Sequence, residues 1–246
     1  MDAFIRFDDI HKCFGENQVY NGLTLDIVKG ETMTIIGGSG TGKSVMLKML
    51  LRLIEADSGK IFFAGEDVCK KDNKGLIAMR KRIGMLFQGA ALFDSLTVKE
   101  NIAYPIREHF DYDEDKISKI VAEKLEVVGL EGKEEMMPSD LSGGMRKRVG
   151  LARAIATDPE VILYDEPTTG LDPTNTNRID QLILDMQRRF KVTSIVVTHD
   201  MASAFRVSDR LALIYNKKIE FVGTVEEVKN STHELVKQFI NGHIGE

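Results

Sequence analysis

Cysteine is scarce: the 246 residues contain two, Cys13 and Cys69, and neither has a CxxC partner. That excludes a disulfide scaffold and a structural zinc site of the usual spacing. Long apolar runs are missing as well. None approaches the ~18 residues a membrane span needs, so the chain is not expected to cross a bilayer unaided. A positive charge excess is also lacking, and the net charge of −5 argues against a general nucleic-acid binder. Internal repeats and low-complexity tracts are absent. The acidic start Met1-Asp2-Ala3 does not read as a signal peptide, so a reducing cytoplasm is the expected compartment.

What is present describes an ordinary globular protein, 43% hydrophobic and 29% charged, long enough for one domain or for a core with an inserted lobe. The front is β-rich. Phe4 to Phe7, Leu23 to Val28 and Lys60 to Phe63 alternate or carry β-branched residues between turn signals. Thr32 to Ile36 reads as a buried strand feeding a glycine-rich turn, followed by an apolar helix from Ser44 to Glu55. From Gln88 to Asp158 the character becomes helical. Ile117, Ile120, Val121, Leu125 and Val128 share a helix face that Gly129 ends, and a second helix begins near Ser142. Beyond it, Val161 to Tyr164, Ser194 to Val197 and Leu211 to Ile214 are continuous apolar runs, as expected of parallel strands covered on both faces. Ile179, Leu182, Ile183, Met186 and Phe190 form the face of an intervening helix, which implies right-handed crossovers.

Gly37-Gly38-Ser39-Gly40-Thr41-Gly42-Lys43-Ser44 satisfies GxxxxGK[ST] between a predicted strand and a predicted helix, the context that gives the match meaning. Such a loop closes backbone N–H groups around a polyphosphate at the positive end of a helix; Lys43 reaches the β/γ-phosphates and the Ser44 hydroxyl ligates Mg²⁺. Val161 to Glu166 ends a buried strand in two carboxylates. Asp165 is expected to face the Mg²⁺ held by Ser44, and Glu166 to polarise water for in-line attack on the γ-phosphate.

Leu141-Ser142-Gly143-Gly144-Met145 resembles the signature sequence of the ATP-binding cassette (ABC) family. Other motifs follow in family order over nearly the whole chain. Gln88 resembles the Q-loop residue, Gly170-Leu171-Asp172-Pro173 the D-loop, His199 the switch histidine, and Phe14 the aromatic that stacks on adenine. The resemblance implies an ATPase with an α/β fold, a P-loop NTPase (RecA-like) core with a mostly parallel sheet, an N-terminal antiparallel β region and an inserted helical lobe. It places residues 1–88 and 158–222 in the core, 89–157 in the lobe and 223–246 in a helical tail. It assigns catalysis to Glu166, His199, Lys43 and Gln88. Nucleotide contacts go to Phe14, Gly37, Gly38, Ser39, Gly40, Thr41, Gly42, Lys43, Ser44, Val45, Gln88, Asp165, Ser142, Gly143 and Gly144. Ser44, Gln88 and Asp165 are the expected Mg²⁺ ligands.

Ser142 reads as the cap of another helix N-terminus, a second anion site. In the family the two half-sites lie apart on one subunit, so a head-to-tail dimer with a second copy of the chain closes over two ATP. Met145 replaces a common glutamine and Phe14 a common tyrosine, and neither undermines catalysis. The basic trio Arg146-Lys147-Arg148 reads as a solvated helix face.

Within the family, the stretch from Ser44 to Leu141 is too short for the coiled coil of the DNA-repair branch, and a single cassette disfavours the ribosome-associated branch. Arg80 to Val98, Asn101 to Pro105 and the ending Val236 to Gly242 look like the ATPase subunit of Mce/Mla-type lipid transporters. That resemblance implies a membrane permease, an Mce-domain lipid-binding partner and a position on the cytoplasmic face of the inner membrane, with no nucleic acid. Amino-acid importers are the competing branch; they usually carry Pro where this chain has Asp94. Leu86, Phe87, Ala90, Ala91, Leu92 and Phe93 are expected to contribute to a groove for a permease helix.

Overall fold

The computed structural model describes residues 3–240 and 242, so the ends of the predicted tail, 241 and 243–246, lie outside the described residues. The first half of the chain runs β1 (Ile5–Phe14), β2 (Asn17–Ile27), β3 (Thr32–Ile36), α1 (Lys43–Leu50), β4 (Ser58–Phe63), β5 (Glu66–Asp67), α2 (Asn73–Arg80) and β6 (Ile83–Leu86). Three helices follow: α3 (Val98–His109), α4 (Glu114–Val127) and α5 (Gly143–Ala154). The remainder is β7 (Val161–Asp165), α6 (Pro173–Phe190), β8 (Thr193–Val197), α7 (Met201–Val207), β9 (Arg210–Tyr215), β10 (Lys218–Thr224), α8 (Val225–Lys229) and α9 (Glu234–Ile240).

Two sheets result. Strands β2-β1-β4-β5 form an antiparallel sheet, and β10-β9-β3-β8-β7-β6 form a second one that is parallel except for β10. β3, β7 and β8 are buried at every position, the pattern of strands with both faces covered. One apolar cluster joins the inner face of the antiparallel sheet to α1 and one face of the parallel sheet. A second joins the opposite face to α3, α4, α5 and α6.

The helix after the glycine-rich turn is shorter than its apolar run predicts, ending at Leu50 rather than Glu55. Arg52 turns left-handed at φ 49°, and the freed carbonyls of Leu51 and Arg52 accept from the Arg80 guanidinium at 3.0 and 3.2 Å. A cation distant in the sequence thus supplies the cap that the local sequence lacks. The basic trio also departs from its expected solvated face. Only Arg146 is exposed; Lys147 and Arg148 are 5% and 8% exposed. Arg148 donates to the carbonyls of Val128 and Gly129 at 3.1 and 2.7 Å, closing the end of α4.

Candidate active site

The turn from β3 into α1 is built so that only glycine fits at its last position. Gly42 adopts φ 96° immediately before α1, and a Cβ there would lie 2.4 Å from Val19 Cγ1. The Tyr20 hydroxyl donates to the Gly42 carbonyl at 2.6 Å, so β2 braces the loop from outside. Tyr20 is fully buried, and burial pushes its phenol above the ordinary tyrosine range. The sequence reading missed this brace because nothing local to Tyr20 marks it.

Lys43 is 8% exposed, and its ammonium donates to the carbonyls of Gly37 and Gly38 at 2.9 and 3.0 Å. Burial lowers its pKa, opposed by the charges of Glu166 and Asp165. Two of its three donors are engaged, leaving one for a ligand in the cleft. The Ser44 hydroxyl donates to Asp165 Oδ1 at 2.6 Å, joining the start of α1 to the end of β7.

Glu166 follows Asp165 in the left-handed region, at φ 48°. A non-glycine residue there costs roughly 1–3 kcal/mol and persists only where its surroundings hold it. Its N–H donates to Val197 O at 2.9 Å, its carbonyl accepts from Lys147 Nζ at 2.9 Å, and its Oε2 accepts from Thr169 Oγ1 at 3.0 Å. His199 Nδ1 stands 2.9 Å from the same Oε2, and Lys43 Nζ lies 4.0 Å from Oε1. Lys147 and Thr169 are absent from the predicted set, since no motif position marks a restraint on the main chain.

Lys43, Ser44, Gln88, Glu166 and His199 converge on one cleft of about 510 Å³, whose wall also includes Ser39, Gly40, Gly42 and Val45. Gln88 is exposed at its edge. Phe14 does not line it. That ring sits at the end of β1, 46% exposed with Lys12 Nζ 5.1 Å from its centroid. Ser142, Gly143 and Gly144 also lie outside the cleft. Ser142 caps α5 by accepting from Met145 N–H at 3.2 Å, as its position predicts. Ser142 and Gly143 are exposed, whereas Gly144 is buried where a Cβ would come 2.3 Å from Asn175 Oδ1. One chain therefore presents a phosphate-type cleft and, separately, an exposed helix start.

The donors suit Mg²⁺. A hydroxyl and a carboxylate oxygen 2.6 Å apart, with an amide at the same cleft, form an all-oxygen set. Among the described residues no group of three or more His, Cys, Asp or Glu forms a closed metal cage. Mg²⁺ is usually held in that open way, by one or two carboxylates together with phosphates and waters. Chemically, the cleft offers a cation for phosphate and a restrained carboxylate for a proton.

Known proteins share this fold and much of this sequence. The family model described as "ABC transporter" matches residues 20–169. The chain is 42% identical to the intermembrane phospholipid transport system ATP-binding protein MlaF of Haemophilus influenzae, over 93% of this chain and 86% of that one. It is equally 42% identical to a probable ribonucleotide transport ATP-binding protein of Mycobacterium leprae, over 98% of this chain and 70% of the relative. A dimeric ATP-binding cassette in a post-hydrolysis state, bound to ADP and Pi, superposes with a TM-score of 0.83 at 29% identity, covering 90% of this chain and 98% of that one. The chain belongs to the ABC transporter family, as one of its ATP-binding, ATP-hydrolysing cassettes.

Proposed function

We propose that the chain is the motor subunit of a phospholipid transporter of the Mce/Mla type, closing as a head-to-tail dimer around two ATP to drive a membrane permease. The convergence of Lys43, Ser44–Asp165 and Glu166–His199 on one cleft carries the catalytic part of this reading. Lys43 and the loop N–H groups hold the β/γ-phosphates. Ser44, Asp165 and Gln88 hold Mg²⁺, which when bound neutralises phosphate charge. Glu166 accepts a proton from the attacking water, and His199 orients the Glu166 carboxylate. Phe14 stacks on adenine from the edge of β1.

The separation of Ser142 and Gly143 from the cleft supports the dimer: an exposed helix start needs a second copy to meet a nucleotide. Ser142→Arg is expected to stop hydrolysis while leaving nucleotide affinity of the isolated chain within about twofold. Turnover and fluorescent-nucleotide titration check this, and equal loss of both would contradict a contact made in trans.

The lobe of 89–157 is the proposed permease-binding part. The six-residue apolar stretch divides: Leu86 and Ala90 belong to the core, whereas Ala91 and Phe93 are exposed. Phe93 pairs with Tyr104 at 4.9 Å between centroids, and each is 44% exposed. Buried Asn101 fixes the presenting loop, accepting from Phe93 N–H at 2.8 Å and donating to Phe93 O at 3.1 Å. Phe93→Glu is expected to release the subunit from membranes with basal ATPase unchanged; continued co-sedimentation would contradict docking there. No helix among the described residues is long and apolar enough to cross a membrane, which suits a peripheral position on the cytoplasmic face.

The lipid branch rests on the resemblance over Arg80 to Val98 and on the name of the phospholipid-transport relative. Purification of the tagged chain from native membranes tests it. A co-purifying permease and Mce-domain protein support the reading; a soluble amino-acid-binding protein would overturn it in favour of an importer.

A further inference from the structure

Beside the cleft lies a buried cation that phosphate binding does not use. Lys147 stands on the first turns of α5, past the exposed Ser142 and Gly143, and is 5% exposed. Its ammonium donates to the main-chain carbonyl of Glu166 at 2.9 Å. Burial pulls its pKa below the ordinary lysine value, opposed by the charges of Asp165 and Glu166. An ammonium is an unfavourable way to fill interior space unless its position matters.

The carbonyl it meets belongs to a residue that needs external restraint. Glu166 is left-handed without being glycine. That carbonyl accepts from the Thr169 N–H at 3.4 Å as well as from Lys147, while Thr169 Oγ1 holds the side-chain end at 3.0 Å. Rotation of the Glu166 main chain would swing its carboxylate away from Lys43 and His199. A cavity of about 180 Å³ bounded by Gln88, Gly143, Lys147, Thr169 and Gly170 adjoins this contact, while Arg153 further along α5 donates to the carbonyls of Ala90 and Ala91 at 2.7 Å each, so the helix is tied to the Gln88 loop as well as to Glu166.

We infer that Lys147 is a positioning residue for ATP hydrolysis: by holding the Glu166 main chain it ties the helix that begins at Ser142 to the carboxylate that takes the proton from water. The inference rests on the reading of Glu166 as that base. It goes further by making the placement of the base depend on α5, so a displacement of the helix start is transmitted to Glu166.

The test uses the purified full chain. Lys147→Met keeps the length of the stem and removes the donor, whereas Lys147→Gln keeps an N–H donor without the charge. Lys147→Met is expected to lower kcat about 10- to 100-fold with KM for Mg-ATP within about twofold, the effect of a misplaced catalytic group. Lys147→Gln is expected to recover most of that loss. A kcat for Lys147→Met within about twofold of wild type, or a loss confined to KM, would overturn the inference. Should Lys147→Met fail to fold, Lys147→Ser, which leaves space for water, replaces it with the same two outcomes. Glu166→Gln assayed in parallel separates the readings. If it keeps turning over, the assignment of the base falls and this inference with it; if it is inactive while Lys147→Met turns over normally, only the role of Lys147 falls.

Discussion

Glu166→Gln is expected to bind Mg-ATP and leave it uncleaved, with kcat reduced about 10²- to 10⁴-fold, the usual contribution of a positioned general base. The substitution preserves size and shape but removes the charge proposed to accept a proton. Oε2 lies within hydrogen-bond distance of His199 and accepts from Thr169, and both contacts can be kept by an amide oxygen. The backbone restraints at Val197 and Lys147 do not involve the side chain. Binding should therefore survive while chemistry stops. Single-turnover phosphate release and nucleotide affinity, measured on the same preparation, check both halves. Turnover at the wild-type rate would remove Glu166 from its role. Asp165→Asn should differ, because weakening the carboxylate hydrogen-bonded to Ser44 impairs binding and chemistry together.

Lys43→Ala has the second large effect. Its ammonium is the buried cation at the floor of the cleft, and a charge-assisted hydrogen bond to phosphate contributes about 1.5–3 kcal/mol, or roughly 10- to 100-fold in affinity. In the proposed mechanism the same donor faces the charge that builds up during transfer, so kcat should fall by about a further 10²- to 10³-fold. Folding should barely change. Burial already disfavours this ammonium, lowering its pKa, and its closest carboxylate oxygen lies as far as 4.0 Å away. Removing it gives up two hydrogen bonds to the carbonyls of Gly37 and Gly38, which border a cavity where water can replace the ammonium, and it relieves the burial of a charge, so the melting temperature should move by less than about 4 °C. Phosphate release and thermal unfolding should be measured together; retained turnover would refute the site.

The parts of the molecule that a local rule dictates were legible before any coordinates. The continuous apolar runs that become β3, β7, β8 and β9 read as strands covered on both faces, and GxxxxGK[ST] between a strand and a helix marks the cleft. Ser142 reads as a cap from its position alone, and it is one. Features set by distant partners were not legible. The end of α1 is decided by Arg80, and the burial of Lys147 and Arg148 by the carbonyls of Glu166, Val128 and Gly129. In sequence, a basic trio on a helix looks solvated whatever its partners are. β6 is only four residues long, too short for a periodicity to show. It contains Gly84, where a Cβ would lie 2.2 Å from Ala154 O, a constraint imposed by α5 packing across it.

In the proposed motor two copies of the chain close on ATP, the cleft of one against Ser142 and Gly143 of the other. Static light scattering of Glu166→Gln measures this most directly, because an uncleaved nucleotide holds the closed state. With saturating Mg-ATP the mass should be twice the 27.5 kDa of the single chain, returning to the monomer with Mg-ADP or when Ser142→Arg is added to the same chain. A monomer in saturating Mg-ATP, from a preparation whose wild-type counterpart hydrolyses ATP, would contradict the dimeric motor.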